Sequence, residues 1–249
     1  MILRRLWGLW MWLAESLAGL LARGNATPAI LTLSGLIISA ACGVLLAIGE
    51  HPILPAAGGL LLAAGFCDAL DGAVARARKW RWPFGAIVDS VADRIADGLV
   101  LAGLLFWVAS NPALPHDFQQ GLRTILCLLA LATSVLVPYV RARAEGIVPS
   151  CRVGLWVRGV RISVLAAGFL AGHRFSGVLV LAVLPWATVI RRLHHARESI
   201  RAGIMLANGF SVETPADSGR EMPGRFGPLH DLVIAGALAL AIFDPFGIG

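Results

Sequence analysis

Residues 66–97 read FCDALDGAVARARKWRWPFGAIVDSVADRIAD. The stretch joins the end of one apolar run to the start of the next, and it carries Asp68, Asp71, Asp89, Asp93 and Asp97 together with Arg76 and Arg94. Ionisable groups inside apolar helices are costly and by default mark function. Their spacing brings them together. Asp68 and Asp71 lie three apart and share a helix face, while Gly85, Asp89, Asp93 and Asp97 recur at four-residue steps on another. The 79–83 linker is short, so the two helices are expected to be antiparallel neighbours. Counted from the turn at Pro52, Asp68 lies about 24 Å along its helix; counted back from Ser110, Asp93 lies about 26 Å along the other. Both pairs therefore reach one level, near one end of the helices.

Outward from this stretch the chain is apolar. Its 249 residues are 57% hydrophobic and 14% charged, with a mean hydropathy of +0.77. Water-soluble domains carry about 25% charge, so lipid is the expected solvent. Six apolar runs, at 29–49, 53–78, 84–109, 120–143, 154–172 and 176–192, predict an all-α integral membrane domain of six transmembrane helices over residues 23–198. Arginine and lysine gather in alternate loops, leaving little beyond Arg123 and Arg174 on the other side. The amino terminus, the 79–83 and 144–153 loops and the segment after 192 are therefore expected in the cytoplasm. That orientation turns the carboxylate level toward the cytoplasmic face of a multi-pass plasma-membrane protein.

The flanks are of different character. Residues 1–22 place Leu3, Leu6, Leu9, Leu13 and Leu17 on one face and Arg4, Arg5 and Glu15 opposite, which predicts an amphipathic helix lying in the membrane surface. A signal peptide fits less well, because Glu15 interrupts the apolar stretch and no small-x-small cleavage site follows. Residues 199–249 form a tail rich in Gly, Pro and charge, with a short apolar segment, 232–243, that rises only about 18 Å and falls short of a crossing. The net charge of +6 lies between apolar runs, which fits anionic headgroups and phosphorylated substrates rather than nucleic acid. Cys42, Cys67, Cys127 and Cys151 lie far apart without a CxxC and are expected as small core residues. His194 and His195 are adjacent, so on a helix they point about 100° apart and do not share a metal.

Four carboxylates at one depth cannot all remain ionised without a counter-charge. Oxygen-preferring Mg²⁺ or Mn²⁺ suits them, and two ions fit four carboxylates. A purely structural ion-pair network with Arg76 and Arg94 is the competing reading. Asp97, one turn deeper, is expected to partner an arginine rather than a metal. A transporter would place its carboxylates near the bilayer midplane and show internal repeats, neither of which is found here. A non-catalytic scaffold gives no reason for carboxylates on facing helices.

Asp68, Asp71, Gly72, Ala75, Arg76, Gly85, Asp89 and Asp93 together resemble the signature of the CDP-alcohol phosphotransferase family, with all eight fixed positions at the family spacing over 26 residues. The resemblance runs from Thr27-Pro28 to about residue 197. It implies a membrane enzyme, homodimeric in the family, that joins a CDP-lipid such as CDP-diacylglycerol to a small alcohol and releases CMP. By the same resemblance Asp68, Asp71, Asp89 and Asp93 hold the metal and Asp93 also acts as general base. Gly72 and Arg76 would contact the CDP diphosphate, and Ala29, Ile30, Leu31 and Thr32 the cytidine part. Two positions depart from the family: Ala29, where relatives carry Asn or Asp, and Trp82, where close relatives carry a small hydroxyl residue. Within the family, the stretch 138–145 and Arg191-Arg192-Leu193-His194 are similar to bacterial phosphatidylinositol phosphate synthases. That branch implies that Arg141, Arg158 and Arg192 cradle the phosphate of the acceptor, inositol phosphate, with glycerol 3-phosphate as the alternative acceptor.

Overall fold

The computed structural model describes residues 15–19, 21, 27–49, 51–78, 83–111, 118–148, 150–151, 153–207, 233 and 236–240, and among these all regular structure is helical. The helices are α1 (Pro28–Ile48), α2 (Leu54–Ala77), α3 (Pro83–Ser110), α4 (Phe118–Glu145), α5 (Arg158–Leu170), α6 (Ser176–Val183) and α7 (Pro185–Ala207), with a 3₁₀ turn at His51–Ile53. Each apolar run becomes a helix, with two differences. The run at 154–172 yields only the 13 residues of α5. The last run is interrupted at Leu184, before Pro185, whose missing amide hydrogen suits the first turn of a new helix.

Among the described residues, four segments are long and apolar enough to cross a membrane: Pro28–Ile48, Leu54–Ala77, Phe118–Glu145 and Ser176–Gly203. The other two expected crossings differ from these for separate reasons. The 28 residues of α3 have the length but include Asp89, Asp93, Arg94 and Asp97. α5 rises only about 20 Å at the usual helical pitch. Of the expected surface helix at 1–22, residues 15–19 and 21 are helical, and Ala18 packs on Ala73 and Val74 of α2. Its remainder, and most of the tail, lie outside the described residues. Within the tail, Ala237 is buried in the main core.

α1 shows how the sequence suits lipid. Thr27 caps its amino end, the side chain accepting from the Ile30 amide at 3.4 Å, and Pro28 follows in the first turn. Its buried face is Gly35, Ser39, Cys42, Gly43 and Leu46, mostly small residues. Leu33, Ile37, Val44 and Ile48 are instead 57–72% exposed. A helix that turns its larger apolar side chains outward and its small ones inward is built for hydrocarbon surroundings, where close backbone approach drives association.

That small face sits between α2 and α3. α1 packs along both, whereas α2 and α3 barely meet. The expectation that α2 and α3 would be direct neighbours is thus corrected, because a short linker fixes connectivity and leaves packing free. The α1–α3 crossing is backbone against backbone. A Cβ added to Gly103 would collide with the Gly43 carbonyl, and one added to Gly43 would collide with the Leu99 carbonyl. At the far end of α1, Arg174 lies 1% exposed and donates to the carbonyls of Leu46 (2.8 Å) and Gly49 (2.7 Å), while its guanidinium stacks 4.1 Å from the centroid of Trp107. Burial lowers its pKa to about 10, so it is still a cation at neutral pH and meets the negative end of the α1 dipole.

The Gly43–Gly103 contact makes a paired prediction. Gly103→Ala is expected to destabilise the protein by about 1–3 kcal/mol through overpacking. Gly98→Ala on the same helix adds a methyl that meets nothing within 4 Å and should leave the melting temperature unchanged or slightly higher. Thermal unfolding of the purified protein in detergent compares the two.

Candidate active site

The carboxylates come from the second half of α2 and the first half of α3, on either side of the gap that α1 holds open. One oxygen each from Asp68, Asp71 and Asp89 lie within 4.8 Å of one another. Asp71 is 7% exposed, and its Oδ2 accepts a 2.7 Å hydrogen bond from the Thr32 hydroxyl of α1. Asp89 Oδ1 is buried and has no hydrogen-bond partner among the described residues. An all-oxygen donor set with an unpartnered buried carboxylate oxygen fits a hard divalent cation.

Asp93 lies in the same cleft but is occupied. Its Oδ1 is 2.9 Å from Arg158 Nη1, and its Oδ2 is 3.5 Å from Arg94 Nη1, which also donates to the Ser90 carbonyl at 2.6 Å. The same Arg158 Nη1 lies 2.9 Å from Asp68 Oδ1. One guanidinium nitrogen from α5 therefore bridges a carboxylate of α2 and a carboxylate of α3. The lining of the cleft includes Thr32, Gly35, Asp68, Asp71, Asp89, Asp93 and Arg158.

Beneath it is a second, small cavity lined by Ser39, Leu61, Asp97, Ser134, Arg158 and Arg161 among others. Asp97 is paired there with Arg161 Nη2 at 3.0 Å and stands 3.6 Å from Arg158 Nε, in line with the expectation that it would serve an arginine. Arg161 is held in turn by the backbone of α4, its Nη1 donating to the Ser134 carbonyl at 3.0 Å. That carbonyl is free for a local reason. Pro138, four residues on and inside the helix, has no amide hydrogen to offer it.

The remaining expected site residues are more dispersed. Arg76 is exposed beside Gly72, where an added Cβ would meet only the Arg76 Nη1 at 3.4 Å. Ala29 and Ile30 are exposed on the first turns of α1, and Leu31 packs toward Ala73 and Val74. Arg141 is paired with Glu145 at 3.0 Å. Arg192 is 4% exposed and gives its hydrogens to the carbonyls of Val153 (2.9 Å) and Val137, so it lines neither cavity. Arg158 thus joins the carboxylates, and Arg141 and Arg192 do not. The sequence reading missed Arg161 and the Thr32–Asp71 hydrogen bond. The three-residue step from Arg158 to Arg161 was the available signal, since it places both on one face of α5.

Comparison with known proteins agrees with this geometry. A profile of the CDP-alcohol phosphatidyltransferase family matches residues 25–197. The archaetidylinositol phosphate synthase of Methanothermobacter thermautotrophicus is 35% identical over 184 residues, covering 71% of this chain and 86% of that protein. The phosphatidylinositol phosphate synthase of Mycobacteroides abscessus is 33% identical over 215 residues, covering 83% and 93%. Two crystal structures of Mycobacterium tuberculosis phosphatidylinositol phosphate synthase are similar in fold, each with a TM-score of 0.62. The one with CDP-DAG bound is 30% identical, covering 74% of this chain and 92% of that one. The one in complex with manganese and citrate is 31% identical, covering 75% and 90%. With the family profile spanning the cleft and every helix that lines it, the chain belongs to the CDP-alcohol phosphatidyltransferase family.

Proposed function

We propose that this protein transfers a phosphatidyl-type group from a CDP-lipid, CDP-diacylglycerol or a close analogue, to inositol phosphate and releases CMP. The observation that carries the reading is the meeting of Asp68, Asp71 and Asp89 within 4.8 Å, with Asp93 in the same cleft. The inositol phosphate synthases among its relatives supply the acceptor. Asp68, Asp71 and Asp89, with Asp93, would hold two Mg²⁺ or Mn²⁺ ions, which neutralise and polarise a diphosphate when bound. Arg76 and the open face at Gly72 receive the diphosphate, and the first turns of α1, Ala29 to Thr32, flank the cytidine. Asp93 takes the proton of the acceptor hydroxyl, whose oxygen then attacks the lipid-side phosphorus as CMP departs. Arg158 and Arg141 contact the acceptor's phosphate with charge-assisted hydrogen bonds. Arg192 ties the loop at Val153 to α4 at Val137, donating to both carbonyls.

The same reading sets the protein in its membrane. α3 and α5 complete six crossings, because their charged side chains face the cleft and each other rather than lipid. Residues 1–22 lie on the surface as an amphipathic helix. The cleft opens to the cytoplasmic side of the plasma membrane, where water-soluble acceptors are found, and two copies form a homodimer as in the family.

Asp93→Asn should reduce turnover by about 10²–10⁴-fold, the usual contribution of a general base, while CDP-lipid binding persists. CMP release measured beside a CDP-lipid binding assay tests this, and an active Asp93→Asn protein would remove Asp93 as the base. Metal chelation should abolish CMP release and readdition should restore it. Across a panel of alcohol phosphates, inositol phosphate should be the preferred acceptor, and preference for glycerol 3-phosphate would reassign the substrate. Arg141→Ala should raise the acceptor KM about tenfold or more, as expected for losing a charged hydrogen bond, with the CDP-lipid KM little changed.

A further inference from the structure

Arg158 occupies an unexpected position for a residue that receives a substrate's phosphate. Its Nη1 stands 2.9 Å from Asp68 Oδ1 and 2.9 Å from Asp93 Oδ1, a bridging position between carboxylates of two helices. While it is there Asp93 has one oxygen in a short ion pair with Arg158 and the other 3.5 Å from Arg94, so both a proton and a metal ion must compete with arginine for it. Nor does this arginine saturate the cluster, since Asp89 Oδ1 is left buried and unpartnered. The cluster thus contains one protein cation in a bridging place and still demands more positive charge.

We propose that Arg158 is the exchangeable counter-cation of the carboxylate cluster. In this position it neutralises Asp68 and Asp93, and a divalent cation held by the same carboxylates would displace its guanidinium toward the acceptor's phosphate. This rests on the phosphotransferase reading above and adds an order of events to it. Two cations cannot share the Asp68–Asp93 gap without strong repulsion at such short range. The side chain can leave without being lost to the bulk, because Asp97, 3.6 Å from its Nε, holds the inner end of the guanidinium and is itself fixed by Arg161 at 3.0 Å. Metal and acceptor phosphate then favour the same displaced position of Arg158. By linkage each strengthens the binding of the other. A cell in which metal is scarce would hold the enzyme with its base masked, and metal loading would unmask the base and deliver the phosphate-binding group in one movement.

The test measures metal binding without turnover. Mn²⁺ affinity is read by electron paramagnetic resonance on the purified full chain in lipid nanodiscs, with no CDP-lipid present. Arg158→Gln, which removes the competing cation, should bind Mn²⁺ about tenfold more tightly than the unaltered protein, within the usual range of coupling between sites. Arg158→Lys, still cationic, should fall between the two. In the unaltered protein, phenylglyoxal labelling of Arg158, followed by mass spectrometry, should accelerate when Mn²⁺ is added, a readout that needs no variant to fold. Unchanged or weaker Mn²⁺ binding by a folded Arg158→Gln protein, or labelling that is equal or slower with Mn²⁺, would overturn the exchange. Mn²⁺ uptake by none of the forms would overturn the phosphotransferase reading as well.

Discussion

Mutual repulsion among carboxylates drawn to one level of an apolar bundle is the constraint around which the rest of the protein is arranged. Asp68, Asp71 and Asp89 approach within 4.8 Å, and each neighbouring element answers that concentration of charge differently. α1 offers a hydroxyl, Thr32, to Asp71. α5 offers a guanidinium to Asp68 and Asp93. α3 places Arg94 beside Asp93 and Asp97 one turn deeper. Burial makes each of these contacts stronger and also makes any unpaired group costly. The buried oxygen of Asp89, which no described residue partners, is therefore the atom of the cleft most open to a ligand.

Support for this charge arrangement extends well outside the cleft. Pro138 breaks the hydrogen-bond ladder of α4 and leaves the Ser134 carbonyl available. Arg161 takes that carbonyl and holds Asp97, and Asp97 stands against Arg158. A backbone defect in one helix is thus connected, through two ion pairs, to the guanidinium of Arg158 that bridges Asp68 and Asp93. Arg174 performs a comparable service at the opposite end of the bundle, where it satisfies carbonyls at the end of α1 and rests on Trp107. In both places a buried arginine donates to backbone carbonyl oxygens.

Much of this was legible in the sequence, for a definite reason. Helices advertise themselves by apolar run length, and the carboxylates converge because steps of three and four residues are steps along one face. The existence of the helices and the identity of the metal-binding candidates followed from such local regularities. What the sequence hid was relational. Nothing local states that α1 separates α2 from α3, although Gly35, Ser39 and Gly43, at steps of four, were a sign of a small face meant for close contact. The shortness of α5 was hidden by an apolar loop that reads like helix; Trp156 of that loop is buried in the core. The positions of Arg158 and Arg192 could not be inferred from charge alone, since a long cation reaches a carboxylate, a backbone carbonyl or solvent with equal ease.

The backbone contact between α1 and α3 has a mechanical consequence. Gly43 meets Gly103 with no side chain between them, so nothing at that point can rotate to absorb a displacement. Asp93 lies ten residues away along the same stiff rod, about 15 Å at the helical rise. A tilt at the fulcrum would be magnified into a displacement of the carboxylates, and an ångström is enough to spoil catalytic alignment. Two residues without side chains, distant from the chemistry, thus act as the bearing on which the reactive end is aimed.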